Sequence, residues 1–184
     1  MRLRCLFGLI SACIGITLSG CGFHLRNSLT LPENTPAVHV ESVQPYSELA
    51  KLLRRRLQAI GATVLTENAS TFSAMDESAA FARLSIHAER WGELPTAIDT
   101  GGRAQEYRLR YAVIFSFILA DGRILVPQQA IELSRDYTSQ PTDATGTSTE
   151  RELLADELRR EMAASILRRV DSVARAQQAT VLQE

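Results

Sequence analysis

The sequence predicts an α/β fold: a two-layer sandwich in which a four- to five-stranded mixed sheet carries two main helices on one face. Three patterns predict it. Residues 37–65 read strand, helix, strand in close succession, Phe81 to Thr138 reads as long alternating strands, and residues 149–175 carry one continuous helical stripe. A chain of 184 residues is long enough for one domain with a real core. That single α/β domain is assigned to residues 37–176, with 177–184 as a frayed C-terminal tail.

Residues 1–20 form a removable leader. Arg2 and Arg4 make the positive start, Leu6 to Leu18 the apolar run, and Ser19-Gly20 the small-residue approach to Cys21. A membrane-spanning helix is the alternative. It is disfavoured because the run is short, is broken by Gly8 and Gly15, and meets polar sequence at once. Leu18-Ser19-Gly20-Cys21 resembles the bacterial lipoprotein cleavage box, which implies a mature chain that begins at a lipidated Cys21. Each buried methylene contributes about 0.8 kcal/mol, and stable anchoring takes more than one chain. A triacylated cysteine therefore anchors firmly. Gly22 stands where the inner-membrane retention signal has aspartate, so the expected site is the inner leaflet of a Gram-negative outer membrane, facing the periplasm.

The mature elements follow in order. Residues 21–36 are the lipidated tether, in which Asn27, Ser28, Pro32, Asn34 and Pro36 disfavour regular structure. Ala37 to Val43 alternates Val38, Val40 and Val43 with polar neighbours, as a strand does. Tyr46, Leu49, Leu53, Leu57 and Ile60 share one helical stripe that Gly61 ends, and Ala62 to Leu65 is a short strand. Two strands joined this tightly through a helix make a crossover unit, with the helix on one sheet face.

Residues 67–80 have no period and read as a loop. Phe81 to Trp91 alternates Leu84, Ile86 and Ala88 against Arg83, Ser85, His87 and Glu89, a strand with one dry and one wet face. Leu94 to Gly102 reads as a turn region. Ala104 to Ala120 is a long strand, Asp121-Gly122 a two-residue hairpin turn, and Ile124 to Thr138 the return strand, where Pro127 requires an edge or a bulge. A tight turn at 121–122 sets Tyr111 beside Glu132 and Arg108 beside Arg135. One extra residue near Pro127 instead pairs Tyr111 with Leu133, Val113 with Ile131, Tyr107 with Tyr137, and Arg108 with Asp136. Opposite charges or apolar pairs gain roughly 0.2–1 kcal/mol each, and like charges lose. The bulged register is the prediction.

Pro141 to Gly146 reads as a loop, and Thr149 with Glu152 as a capping box. The helix beyond it lines up Leu154, Leu158, Met162, Ile166, Val170 and Val173, with Asp156 and Arg160 as a favourable pair. At ~1.5 Å per residue, about 26 residues span about 40 Å.

Composition excludes several classes. Removing the leader takes two arginines and no acid, so a charge of −1 becomes slightly more negative and no nucleic-acid partner is implied. Cys5 and Cys13 leave with the leader, so the mature chain has no disulfide to form. Lys51 is the sole lysine among the basic residues. Arginine forks suit phosphates, although a GC-rich genome gives the same bias. His24, His39 and His87 show no metal-ligand spacing, and neither a nucleophile elbow nor a phosphate loop occurs. His87 and Glu89, read on one strand face, are the one acid–base candidate; a solvated sheet face is the simpler account. Gly101-Gly102-Arg103 is either a binding turn or only a turn.

Two helices cover only one face of such a sheet. The other carries Arg108, Arg110, Ala112, Ile114, Ser116 and Ile118, too apolar at one end for a solvated surface. A partner is expected there, with cover by residues 67–80 as the alternative.

Cys21-Gly22-Phe23-His24-Leu25-Arg26 resembles the mature start of the LptE family of LPS-assembly lipoproteins. The likeness continues through Leu52-Leu53-Arg54 to Gly61, Glu106-Tyr107, Arg135-Asp136-Tyr137, Glu157-Leu158-Arg159-Arg160 and Ile166-Leu167-Arg168-Arg169, in order along most of the mature chain. Asp143 to Ser148 departs from the more hydrophobic lead expected before the last helix. The resemblance implies an α/β plug inside the lumen of the LptD β-barrel that helps LptD fold and helps deliver lipopolysaccharide to the outer leaflet. It implies no catalysis, no metal and no cofactor beyond the lipid on Cys21. On that footing Arg103, Arg108 and Arg110 are the candidate lipopolysaccharide contacts and Ile114 and Ile118 the candidate barrel contacts. The plain alternative makes the arginines solvated and the isoleucines core. Two other functions remain open: a lipid-anchored envelope hydrolase using His87 and Glu89, and a freestanding periplasmic lipid carrier, which needs a deep apolar cavity.

Mass spectrometry of the mature N-terminus is expected to find a triacylated Cys21, and an unmodified start elsewhere contradicts the assignment. Cys21→Ser is expected to leave uncleaved or released protein.

Overall fold

Every strand in this chain must bury one row of side chains, and the rows converge on a single layer beneath two helices. The computed structural model describes residues 37–44, 46–65, 81–139 and 144–181. The leader, Cys21, the tether and the 67–80 loop lie outside the described residues. In chain order the elements are β1 (Val38–Ser42), α1 (Glu48–Ala59), β2 (Val64–Leu65), β3 (Ala82–Ile98), β4 (Ala104–Ile118), β5 (Ile124–Thr138) and α2 (Ala144–Val181). The sheet has five strands in the order β2-β1-β3-β4-β5. β1 runs parallel to β2 and β3, whereas β3–β4 and β4–β5 are antiparallel. Both helices pack on one face, and the predicted mixed two-layer α/β sandwich is the fold.

The β1–α1–β2 crossover forms as its spacing requires. Ser47 caps α1 by accepting from the Ala50 N–H (3.0 Å), and Leu49, Ala50, Leu53 and Leu57 are buried. Tyr46 and Ile60, expected at the ends of the stripe, lie just outside the helix and are exposed, because the Ser47 cap and Gly61 (φ 86°) bracket it more tightly. On α2, Leu158, Met162, Ile166 and Val170 are buried, while Leu154 and Val173 pack partly against the core. The helix runs from Ala144 to Val181, longer at both ends than the sequence predicts. Thr149 and Glu152 therefore sit within it. Once a packed stripe has nucleated a helix, extension costs little even through poor formers. Asp156 pairs with Arg159 (2.6 Å) and not with Arg160.

The β4–β5 register is the predicted one: Tyr111 faces Leu133, Val113 faces Ile131, Tyr107 faces Tyr137, and Arg108 faces Asp136. Phe115 pairs with Gln129 and Phe117 with Val126, so Pro127 and Gln128 oppose Ser116 alone, and the bulge falls where expected. The turn differs. Leu119 donates to the Arg123 carbonyl (2.9 Å) and Gly122 takes φ 83°, which makes a three-residue loop. A second extra residue, Leu125, then restores the register between Ile124 and Val126. The β3–β4 turn has the same form, with Asp99 donating to the Arg103 carbonyl (2.8 Å) and Gly102 at φ 79°. β3 consequently continues to Ile98, through the stretch expected as a turn region. Pro95 is tolerated because β1 pairs with β3 only as far as Ile86, and the β3–β4 register shifts beside Pro95.

One bulge in β3 changes the reading of that strand. Ile86 pairs with Phe115 and Ala88 with the adjacent Ile114, leaving His87 as an extra residue. An extra residue moves every later side chain to the opposite face. Leu84 and Ile86 point to the helices as expected, but beyond His87 it is Glu89 and Trp91 that do so, opposite Val113 and Tyr111. His87 and Glu89 therefore lie on opposite faces. Glu89 accepts from Ser47 Oγ and from the Tyr111 hydroxyl (2.6 Å). Trp91 stacks on Tyr111 with centroids 4.0 Å apart, and the Arg159 guanidinium lies 5.1 Å from the indole. Burial first, and the Glu89 carboxylate second, push the Tyr111 hydroxyl pKa up.

Tyr111→Phe keeps the ring stack and leaves Glu89 one donor short, so chemical denaturation is expected to show a loss of about 1–3 kcal/mol. Ser47→Ala removes a Glu89 donor and the α1 cap together and is expected to cost at least as much. Wild-type stability in both variants contradicts the role assigned to Glu89.

Candidate functional site

Because side chains alternate along β4, its even-numbered residues leave the helix-covered layer and form the open face of the sheet. Arg108, Arg110, Ala112, Ile114, Ser116 and Ile118 all lie there, flanked by Arg83, Ser85, His87, Ala88 and Arg90 of β3 and by Ala130, Glu132, Ser134 and Asp136 of β5. The sequence places this row correctly. Ile114 and Ile118 are half-buried and belong neither to the core nor to the partly buried residues packed on it.

The arginines are matched with carboxylates. Arg108 makes a bidentate pair with Asp136 (2.7 and 2.9 Å), and Arg110 reaches Glu132 (2.7 Å). The Arg108 guanidinium holds the Asp136 carboxyl below its ordinary value. Arg103 is at the tip of the β3–β4 hairpin and pairs with Asp99 (3.0 Å), whose carboxylate also accepts from the backbone N–H groups of Gly101 and Arg103. Those bonds, the Arg103 N–H foremost, lower the Asp99 pKa. Gly101-Gly102-Arg103 is thus a self-satisfied turn. From Arg103 to Ile118 the candidate residues spread over roughly 50 Å of strand, so they form a line and not a pocket.

At the other end, Ser85 and Ser116 face each other and are buried. Ser85 donates to Glu41 (2.6 Å), and His87 Nε2 lies 2.8 Å from Ser116 Oγ. A serine beside a histidine is the beginning of a nucleophile–base pair, but among the described residues no carboxylate orients the other ring nitrogen. Glu89, the acid paired with His87 in the sequence reading, faces the helices. No group of His, Cys, Asp or Glu is arranged to hold a metal among the described residues, and no helix there is long and apolar enough to cross a membrane.

Two further cations lie on this face: Arg83, which alternation already puts on the wet side of β3, and Arg90, which sequence reasoning missed. Arg83 and Arg90 have no carboxylate partner among the described residues. Strict alternation assigns Arg90 to the helix side, and only the bulge at His87 brings it out.

Comparison with known proteins agrees with this architecture. The family model named LptE and described as "Lipopolysaccharide-assembly" matches residues 35–170. The LPS-assembly lipoprotein LptE of Photorhabdus laumondii is 26% identical over 177 residues, covering 96% of this chain and 91% of that protein. Its Yersinia pestis namesake is 27% identical over 173 residues, covering 94% and 78%. Among solved structures, the rare lipoprotein B of Shewanella oneidensis superposes with a TM-score of 0.60 at 25% identity, covering 80% of this chain and 99% of that one. A lipoprotein B from Nitrosomonas europaea gives a TM-score of 0.66 at 21% identity, covering 84% and 94%, and shares the fold.

Proposed function

The chain belongs to the LptE family, and on that premise we propose that it is an outer-membrane lipoprotein that plugs the LptD β-barrel from the periplasmic side, supports its assembly and assists lipopolysaccharide delivery to the outer leaflet. The observation that carries the reading is the open sheet face. It presents Ile114 and Ile118 outside the core, between the cross-strand ion pairs of Arg108 and Arg110 and, on β3, Arg83 and Arg90, unmatched among the described residues. The wall of a barrel lumen is polar, which suits the charged end of this face, while Ile114 and Ile118 would gain from any apolar patch of wall that covers them. The anchor on Cys21 would hold the domain at the membrane in which the barrel lies.

Arg103, Arg108 and Arg110 are the proposed contacts for lipopolysaccharide phosphates. Their carboxylate partners do not preclude this. The Arg108 and Asp136 side chains are 48% and 57% exposed, and exposed pairs are worth about 0–1 kcal/mol, so a phosphate can compete for the guanidinium. The hydrolase reading loses its residue pair to the β3 bulge. The carrier reading needs an apolar cavity, whereas the space between sheet and helices is filled by Tyr111, Phe115, Phe117 and Met162.

Four variants of the lipidated chain test the proposal. Arg103→Glu and Arg108→Glu are expected to weaken lipopolysaccharide binding and leave co-purification with the barrel intact. Ile114→Asp and Ile118→Asp are expected to do the reverse, with melting temperatures within a few degrees of wild type. Inert arginine variants together with destabilising isoleucine variants contradict it.

A further inference from the structure

The sheet ends in edges of very different length. β2 is two residues long, and β3 beyond β1 is interrupted by Pro95 and register shifts. Among the described residues β5 is unpaired on its outer side, and from Gln129 to Thr138 its register with β4 runs without a break. Ser139 donates to the Gln105 carbonyl (2.8 Å), which marks a hydrogen-bonded pair. Stepping back by two, Tyr137, Arg135, Leu133 and Ile131 turn both backbone groups toward β4. Ala130, Glu132, Ser134, Asp136 and Thr138 therefore turn theirs outward. The Ser134 carbonyl agrees with this parity, since it accepts from Arg135 Nη1 (3.0 Å) as that side chain curls over the edge.

An edge of this length is normally blunted by proline, lysine or a bulge, and this stretch has none of them. Its charges are nearly matched within the chain. Arg108 and Arg110 neutralise Asp136 and Glu132 on the open face, while on the helix side Arg135 serves both Glu157 (2.9 Å) and Glu161 (2.5 Å). One guanidinium between two carboxylates leaves one carboxylate in excess at that point of the flank. A second copy, joined edge to edge, would bring its own Glu157 and Glu161 against it.

From this we infer that β5 is a strand-addition edge: an extended segment of the barrel partner, carrying a lysine or arginine on its helix-facing side, pairs with the outward backbone groups of Ala130 to Thr138. The inference rests on the barrel reading above.

The test uses the full lipidated chain co-expressed with the barrel. Ser134→Pro removes an outward N–H that β4 does not use, so the melting temperature is expected to stay within a few degrees while barrel capture falls about tenfold. Leu133→Pro, which removes a bond to β4, is expected to unfold the domain. A photo-crosslinker at Ser134 in an otherwise wild-type chain decides the matter should Ser134→Pro also fold poorly. Adducts mapping to one barrel segment that contains a lysine or arginine support the inference. Full capture by a folded Ser134→Pro variant, adducts to a second copy, or no adduct overturns it. Failure of the wild-type chain itself to capture the barrel would instead remove the premise.

Discussion

The extra residue at His87 determines what each side of the sheet can do. It turns Glu89 toward the helices, where the carboxylate meets Ser47 at the start of α1 and the Tyr111 hydroxyl on β4. Trp91, carried to the same side, stacks on Tyr111 and receives Arg159 from α2. Two helices and two strands are thereby joined at one place. A partly buried carboxylate is costly unless it is hydrogen-bonded, and here two hydroxyls supply the bonds. Without the bulge, Glu89 would face outward and the helix layer would lose this junction.

The same bulge shapes the open face. It places His87 and Ala88 there together and brings Arg90 out beside Ala112. Ion pairs between β4 and β5 then neutralise Arg108 and Arg110, and Ile114 and Ile118 stay outside the core. Such a face combines exposed ion pairs with half-buried isoleucines that belong to no core. In the proposed function, this would be the face that a plug presents to a barrel wall.

Much of this was legible in the residues. Alternation and charge matching identified the β4–β5 register, since only the bulged pairing puts Arg108 opposite Asp136. The helical stripes identified most of the core positions they named, Tyr46 and Ile60 at the ends of the first stripe excepted. Three features were hidden because their signals are weak. Ile86-His87-Ala88 contains no proline or glycine, so nothing local marks an inserted residue, and the faces of Glu89 and Arg90 were out of reach. Pro95 and Gly101-Gly102 looked like one turn region, whereas the proline sits in a strand that β1 leaves after Ile86 and whose outer edge is unpaired there among the described residues. The pairing of Arg110 with Glu132 is diagonal, and opposition along the ladder does not reveal it.

The claim that the open face is an interface is tested most directly by cysteine accessibility. With residues 1–20 removed and Cys21 lipidated, as proposed, Ile114→Cys and Ile118→Cys each add a single free thiol. Maleimide labelling of the purified chain should be rapid at both positions and should be strongly suppressed when the chain is bound to the barrel. Equal labelling with and without the barrel, or thiols already inaccessible in the isolated chain, would contradict the account.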